Sequence, residues 1–278
     1  MLLDAPTLYF RAFHALPVTL VDGHGRPNNA IRGFLDALRV LRDTYRPDRI
    51  ITCWDEDWRP QWRVNLVPSY KTHRVGTDTP DELAPQVPVI AEACRALGMS
   101  VVGAAGLEAD DVIAALALAA DGPVDIVSGD RDLTQLVSDA ARRRLILLGT
   151  GGNTIFDDAA VVAAYGVPPE RYADLAVLRG DPSDGLPGAE GIGVKTAARY
   201  LEAFGDLEGV LAAAERAVAP ITPAKAAVLM RDADALRAAR RVVTLGPTEV
   251  TVIDEQRDAS ALERLGREFG VSGALGRW

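Results

Sequence analysis

The chain has 278 residues, 48% of them hydrophobic, with 39 acidic side chains against 30 basic ones and a formal charge of −9. It is long enough to bury a substantial core. It has neither an apolar run that spans a bilayer nor the charged front and long apolar run of a signal peptide, which excludes a membrane and points to the cytoplasm. The acidic balance by itself argues against a nucleic-acid binder, because phosphate contact is normally carried by excess lysine and arginine.

Met1-Leu2-Leu3 predicts a short strand that ends at Asp4. Leu8 to His14 is helix-like, a loop with Gly23, Gly25 and Pro27 follows, and Ile31, Phe34, Leu35, Leu38 and Leu41 have the spacing of a buried helix face. Arg49 to Trp54 predicts a second strand, ending at Asp55. Cys53 and Cys94 lack metal-ligand spacing and read as buried thiols. From Glu56 to Arg74, Trp58, Trp62 and Tyr70 alternate with Arg59, Arg63, Lys71, His73 and Arg74. Interleaved aromatics and cations suit a single strand of nucleic acid, stacking its bases and pairing its phosphates. The alternative is that Trp58 and Trp62, four apart, form a helical core pair beside a solvated cationic face. A helix opened by Thr79-Pro80 runs to Gly98, delayed or bent by Pro85 and Pro88, and Ser100 to Val102 is a third strand.

The most informative stretch runs from Gly106 to Asp132. Val112, Ile113, Leu116, Ala117 and Ala120 recur at helical intervals, so a helix starts near Ala109 with Glu108, Asp110 and Asp111 in its first turn. Val124, Ile126 and Val127 form a buried strand that leaves Asp130 and Asp132 just past its carboxyl end. Asp4 and Asp55 reach the same sheet edge, where open parallel sheets place their sites. Packed carboxylates repel and raise one another's pKa, so such a cluster makes sense chiefly around cations. Oxygen ligands without Cys or His suit Mg²⁺ or Mn²⁺.

Arg144 to Leu148 is a further strand, ended by a turn at Gly149 and Gly151-Gly152, with helices at Asp157 to Tyr165 and Pro169 to Leu178. Alternating strands and helices up to about residue 150 predict a parallel sheet, and the helix-rich remainder an annex. There Gly191-Ile192-Gly193 opens a helix with Lys195 and Thr196 in its first turn. Free backbone N–H groups and a lysine can grip a phosphate backbone without reading bases. A plain glycine turn between helices is the alternative. The chain has only three lysines, Lys71, Lys195 and Lys225. Leu207–Val218, Pro223–Met230, Ala233–Leu245 and Ala259–Phe269 are amphipathic helices, with a strand expected at Thr248–Val252.

Residues 106–113 (Gly-Leu-Glu-Ala-Asp-Asp-Val-Ile), 128–139 (Ser-Gly-Asp-Arg-Asp-Leu-Thr-Gln-Leu-Val-Ser-Asp) and 180–197, from Gly180-Asp181-Pro182-Ser183-Asp184 to Lys195-Thr196-Ala197, closely resemble the bacterial 5′ nucleases. These are the flap endonucleases and 5′→3′ exonucleases, including the 5′-nuclease domain of DNA polymerase I. The resemblance covers essentially the whole chain. It implies an α/β fold with a central, mostly parallel, PIN-like sheet flanked by helices, a helical arch, and a C-terminal helical region containing a helix–three-turn–helix. Residues 1–156 would form the nuclease core, with an arch or gateway segment at 56–90. Residues 157–278 would form the helical region, with the duplex-binding motif at about 175–205, in a single compact unit.

The resemblance further implies a divalent-metal-dependent phosphodiesterase holding two or more Mg²⁺ or Mn²⁺ ions on Asp4, Asp55, Glu108, Asp110, Asp111, Asp130, Asp132, Asp181 and Asp184. Asp130, Lys71 and Arg63 would act at the scissile phosphate. Arg59, Arg63, Tyr70, Lys71, Arg74, Gly191, Gly193, Lys195 and Thr196 would contact DNA, with K⁺ at the helix–three-turn–helix. The substrate would be DNA with a 5′ flap or free 5′ end at a junction, handled by a monomer in replication and repair beside a polymerase and a ligase. Because the chain stops at Trp278 without a polymerase domain, it reads as a stand-alone nuclease. Setting the nine candidate ligands aside leaves the remaining charge balanced. Where the family commonly has Ser-Asp-Asn-Ile-Pro-Gly, this chain has Ser183-Asp184-Gly185-Leu186-Pro187-Gly188, a change that keeps both acids and is expected not to touch the chemistry. Two rivals remain: a PIN-like ribonuclease, and a non-catalytic protein of the same fold that binds branched DNA.

Overall fold

The computed structural model describes residues 1–74 and 79–278. Residues 75–78, inside the expected arch segment, lie outside the described residues. The first half of the chain alternates β1 (Leu2–Asp4), α1 (Ala5–Ala15), α2 (Asn29–Tyr45), β2 (Ile51–Cys53), α3 (Gln61–Leu66), α4 (Gln86–Ala96), β3 (Ser100–Val102), α5 (Ala109–Ala119), β4 (Val124–Ser128) and β5 (Arg143–Leu147). Then come β6 (Thr154–Phe156), α6 (Asp158–Tyr165), α7 (Tyr172–Arg179), α8 (Val194–Phe204), α9 (Leu207–Glu215), α10 (Pro223–Arg231), α11 (Ala233–Val243), α12 (Ala259–Glu268) and α13 (Ser272–Leu275).

The sheet runs in the order β3-β2-β1-β4-β5-β6. All neighbours are parallel except β5 and β6. The chain builds outward from β1 to β3, then returns to the other side of β1 for β4. The order therefore reverses between β1 and β4, where an open sheet leaves a crevice at the carboxyl ends of its strands. Asp4 closes β1 beside that crevice, and Ser128 closes β4.

Apolar side chains of α1, α2, α4, α12 and α13 form one core cluster, and those of α5, β4 and the start of β5 form another. A third cluster joins α7 to α11. α12 and α13, expected with the helical annex, thus pack onto the α/β core. Thr248–Val252 forms no strand: Val250 and Val252 lean on the core without joining the ladder, so their alternation records one-sided burial. β6, formed after the Gly151-Gly152 turn, was not anticipated, because its run of three residues is too short for periodicity to register. Pro85 and Pro88 delay α4 to Gln86, as their missing N–H groups require. Trp58 and Trp62 are exposed rather than a core pair. Among the described residues no helix is long and apolar enough to cross a membrane.

Candidate active site

α5 starts where the motif spacing places it. Asp55, just past β2, accepts the Ala109 N–H at 2.7 Å and fixes the helix to the sheet edge. Asp4 caps α1, accepting the Thr7 N–H at 3.0 Å and the hydroxyls of Thr7 and Ser128. Past β4, Asp130 orders its own loop by accepting the Asp132 N–H at 2.8 Å. Asp181 caps a short turn over Pro182–Asp184 and binds Ser183 and Arg179.

These acids sense one another. Burial pushes the Asp110 and Asp132 carboxyls well above the ordinary carboxylate range, and the charge of Asp130 raises both further. Burial also raises Asp4, against hydrogen bonds from Ser128 and Thr7, and again Asp130 adds to the rise. Asp55 is raised by burial and by Asp4, against the Ala109 hydrogen bond. Burial pushes Asp184 up to about 6, with Asp130 contributing and Lys71 opposing. Asp130 is thus the carboxylate whose field reaches Asp4, Asp110, Asp132 and Asp184 together.

Among the described residues no three of these groups stand close enough to enclose an ion. The donor set, carboxylate oxygen throughout, fits a hard divalent cation such as Mg²⁺ or Mn²⁺.

The structure corrects three expectations. Asp111 faces away from the cluster: its two oxygens accept a bidentate pair from Arg63 at 2.7 and 2.8 Å, and Oδ2 also accepts the Glu108 N–H at 3.1 Å. Asp110 and Asp111 are consecutive on a helix, about 100° apart around its axis, so they cannot share one face. Arg63 is 3% exposed, and its Nε–H donates to the Val242 carbonyl, so it is a buried clamp and not a DNA contact. Tyr70 is 4% exposed and its hydroxyl donates to Glu108 at 2.8 Å, which leaves no ring face for a base. Arg59, partly exposed, donates from Nε to Tyr70 O and from Nη2 to Pro68 O and Thr72 Oγ1, shaping its own loop.

Glu108 is the hub of this buried network, held by Lys71, Tyr70 and Arg63. Burial raises its pKa and the two cations oppose that rise. Lys71 and Arg74 border a cleft of about 790 Å³ that Asp55 and Asp130 also line. Arg74 additionally donates to Ser183 O at 2.8 Å and reaches Asp184 at 3.3 Å. Gly191, Gly193, Lys195 and Thr196 lie apart from the cluster, at the start of α8, where Gly193 is the N-cap and Lys195 is exposed.

Gly185, a departure from the family pattern, proves structurally required. Its φ is +72°, and a Cβ there would lie 2.1 Å from the Ser69 carbonyl oxygen. That approach lets Lys71 N donate to Asp184 O at 3.0 Å and Ser69 Oγ to Gly185 O at 2.8 Å, fastening the Lys71 loop to the Asp184 loop. Gly185→Ala is expected to cost about 2 kcal/mol or more in chemical denaturation and to lower activity. Unchanged values for both would show that the two loops do not depend on each other.

The raised Asp184 pKa carries a signed pH dependence. A carboxyl raised in the folded state contributes stability below its unfolded pKa, and that contribution is lost as pH rises through about 6. Asp184→Asn should therefore stabilise the metal-free protein at pH 8, by at most about 3 kcal/mol less the Arg74 contact, and give little or no gain at pH 4. Urea melts in EDTA at the two pH values check this, and an equal shift at both would contradict it.

Family models for the 5′-3′ exonuclease N-terminal resolvase-like domain and the 5′-3′ exonuclease C-terminal SAM fold match residues 1–166 and 167–262. A 5′-3′ exonuclease of Streptomyces coelicolor is 47% identical over 294 residues, covering 100% of this chain and 98% of its own. One from Mycobacterium tuberculosis is 41% identical over 302 residues, covering 98% and 95%. Among solved structures, the bacteriophage T5 D15 flap endonuclease in complex with DNA and metal ions aligns with a TM-score of 0.70 over 100% of this chain and 95% of that one. At 17% identity, that likeness is one of fold.

Proposed function

The chain belongs to the 5′-3′ exonuclease family, and from that premise we propose that it is a structure-specific 5′ nuclease that hydrolyses DNA phosphodiesters at 5′ flaps and free 5′ ends at junctions, using divalent metal. The observation that carries this reading is the convergence on one sheet-edge crevice of Asp4, Asp110, Asp130, Asp132 and Asp184, whose charges act on one another. With Glu108 and Asp55 beside them, these residues would hold Mg²⁺ or Mn²⁺, which when bound supplies an activated water and charge to stabilise the leaving 3′ oxygen.

The protein's own groups divide the remaining work. Asp55 and the Ser128 hydroxyl hold α5 and Asp4 in place at the crevice. Lys71 and Arg74, on the cleft wall, attract the phosphate and offset its charge. Lys195 and the N–H groups opening α8 grip the duplex backbone beyond the cut, a contact that carries no base information. The products are a 5′-phosphate and a 3′-hydroxyl. In the division of labour we infer, residues 1–156 carry most of the acids, Asp181 and Asp184 join them from the turn after α7, and the helical stretch that begins at α8 holds the duplex.

Lys195→Ala tests the substrate class. It is expected to weaken duplex DNA binding about tenfold or less while leaving single-strand affinity unchanged, as one lost phosphate contact implies. Indifference of the duplex, together with faster cleavage of RNA than of DNA of the same sequence, would favour a ribonuclease instead.

A further inference from the structure

Lys225, on the first turn of α10, belongs to neither the acidic cluster nor its cleft, yet its ammonium has a defined seat. Lys225 Nζ donates to the Gly191 carbonyl at 2.7 Å and to the Glu190 carbonyl at 3.2 Å. Gly191 has φ +70°, where side chains are rarely found, and Nζ stands 2.1 Å from where a Cβ would lie, close against the turn. Two neighbouring carbonyls also accept hydrogen bonds. Ala189 O accepts the Ile192 N–H, and Gly193 O accepts the N–H groups of Thr196 and Ala197.

A K⁺ ion held by a backbone turn needs several carbonyl oxygens in place of its water. Here two of them already carry a positive charge, which repels a second cation at hydrogen-bonding distance. The turn therefore does not fit the K⁺ that the family resemblance implies. We propose that Lys225 is the resident cation of the Gly191–Gly193 turn, holding it in shape for the duplex so that duplex binding by this chain needs no monovalent ion. Lys225 is a positioning residue, acting through the turn rather than on the phosphate. The inference rests on the reading of that turn as the duplex grip.

The test is fluorescence anisotropy of the full chain with a labelled blunt duplex in EDTA, at constant ionic strength in KCl, NaCl or tetramethylammonium chloride. The wild-type chain is expected to bind equally in all three salts. Lys225→Met should bind about tenfold more weakly in tetramethylammonium, the loss of two charge-assisted hydrogen bonds, and Lys225→Arg should retain most of the affinity. Lys225→Gln serves the same purpose if the Met variant fails to fold, and single-strand affinity should be unchanged in each variant. Wild-type binding that tightens several-fold in K⁺ alone would overturn the inference, as would a Lys225→Met chain that binds like wild type in every salt. A wild-type chain with no duplex affinity in any salt would overturn the duplex reading of the turn itself, and the inference with it.

Discussion

Asp130→Asn is expected to lower cleavage by at least about 10²–10³-fold, the loss typical when one charge-stabilising group at a reacting centre is removed. Affinity for a junction should stay nearly constant, because the groups proposed to hold DNA are Lys71, Arg74 and the start of α8. Asp130 sits in a loop past β4; its backbone N–H donates to Ser128 Oγ and its carboxylate accepts the Asp132 N–H. Asparagine is close in shape, and its carbonyl oxygen still accepts the Asp132 N–H. What disappears is the charge that acts on Asp4, Asp110, Asp132 and Asp184. The metal-free variant should therefore be more stable than the wild type at neutral pH, because repulsion within the cluster falls. Activity lost while stability rises is the signature of a functional acid. Loss of both together would mark Asp130 as structural.

Arg63→Ala is the largest expected stability effect. The guanidinium is 3% exposed and closes a bidentate pair with Asp111, an ion pair with Glu108 at 3.1 Å and a hydrogen bond to Val242 O. Removing it leaves two buried carboxylates short of a partner, which costs about 3–5 kcal/mol. Lysine cannot reproduce the planar fork, so Arg63→Lys should recover only a minor part. Pairing Arg63→Met with Asp111→Leu removes both charges of the bidentate pair and should recover much of the loss. Denaturant melts of the three variants give the answer. If Arg63 instead served as a DNA contact, stability would be untouched and DNA affinity would fall with a smaller salt slope.

The contrast between Asp130 and Arg63 marks how far the sequence could be read. The strand ends, the start of α5 and the positions of Asp130 and Asp132 follow from periodicity and from the Gly122-Pro123 break, which are local signals. Which acids face the crevice depends on helix phase. Two neighbouring aspartates at 110 and 111 could have been separated by the helical repeat alone, and the carboxylate three residues past the Glu108 N-cap position could have been recognised as serving the backbone. Arg63 and Tyr70 had no such local signal. Arg63 is buried against α11, whose Val242 carbonyl lies 179 residues away in the chain, and Tyr70 reaches Glu108, 38 residues on. The tight fit at Gly185 is likewise set at a distance, by the Ser69 carbonyl, 116 residues earlier.

The central claim is tested most directly by incubating the chain with a 5′-flap DNA, a matched single strand and a blunt duplex, each with Mg²⁺, Mn²⁺ or EDTA, and mapping the cut to the nucleotide. Incision of the flap substrate near its junction, with either metal and not in EDTA, is the predicted result. Tight junction binding with no cleavage under any metal would contradict the account and leave a branched-DNA-binding protein as the reading of this fold.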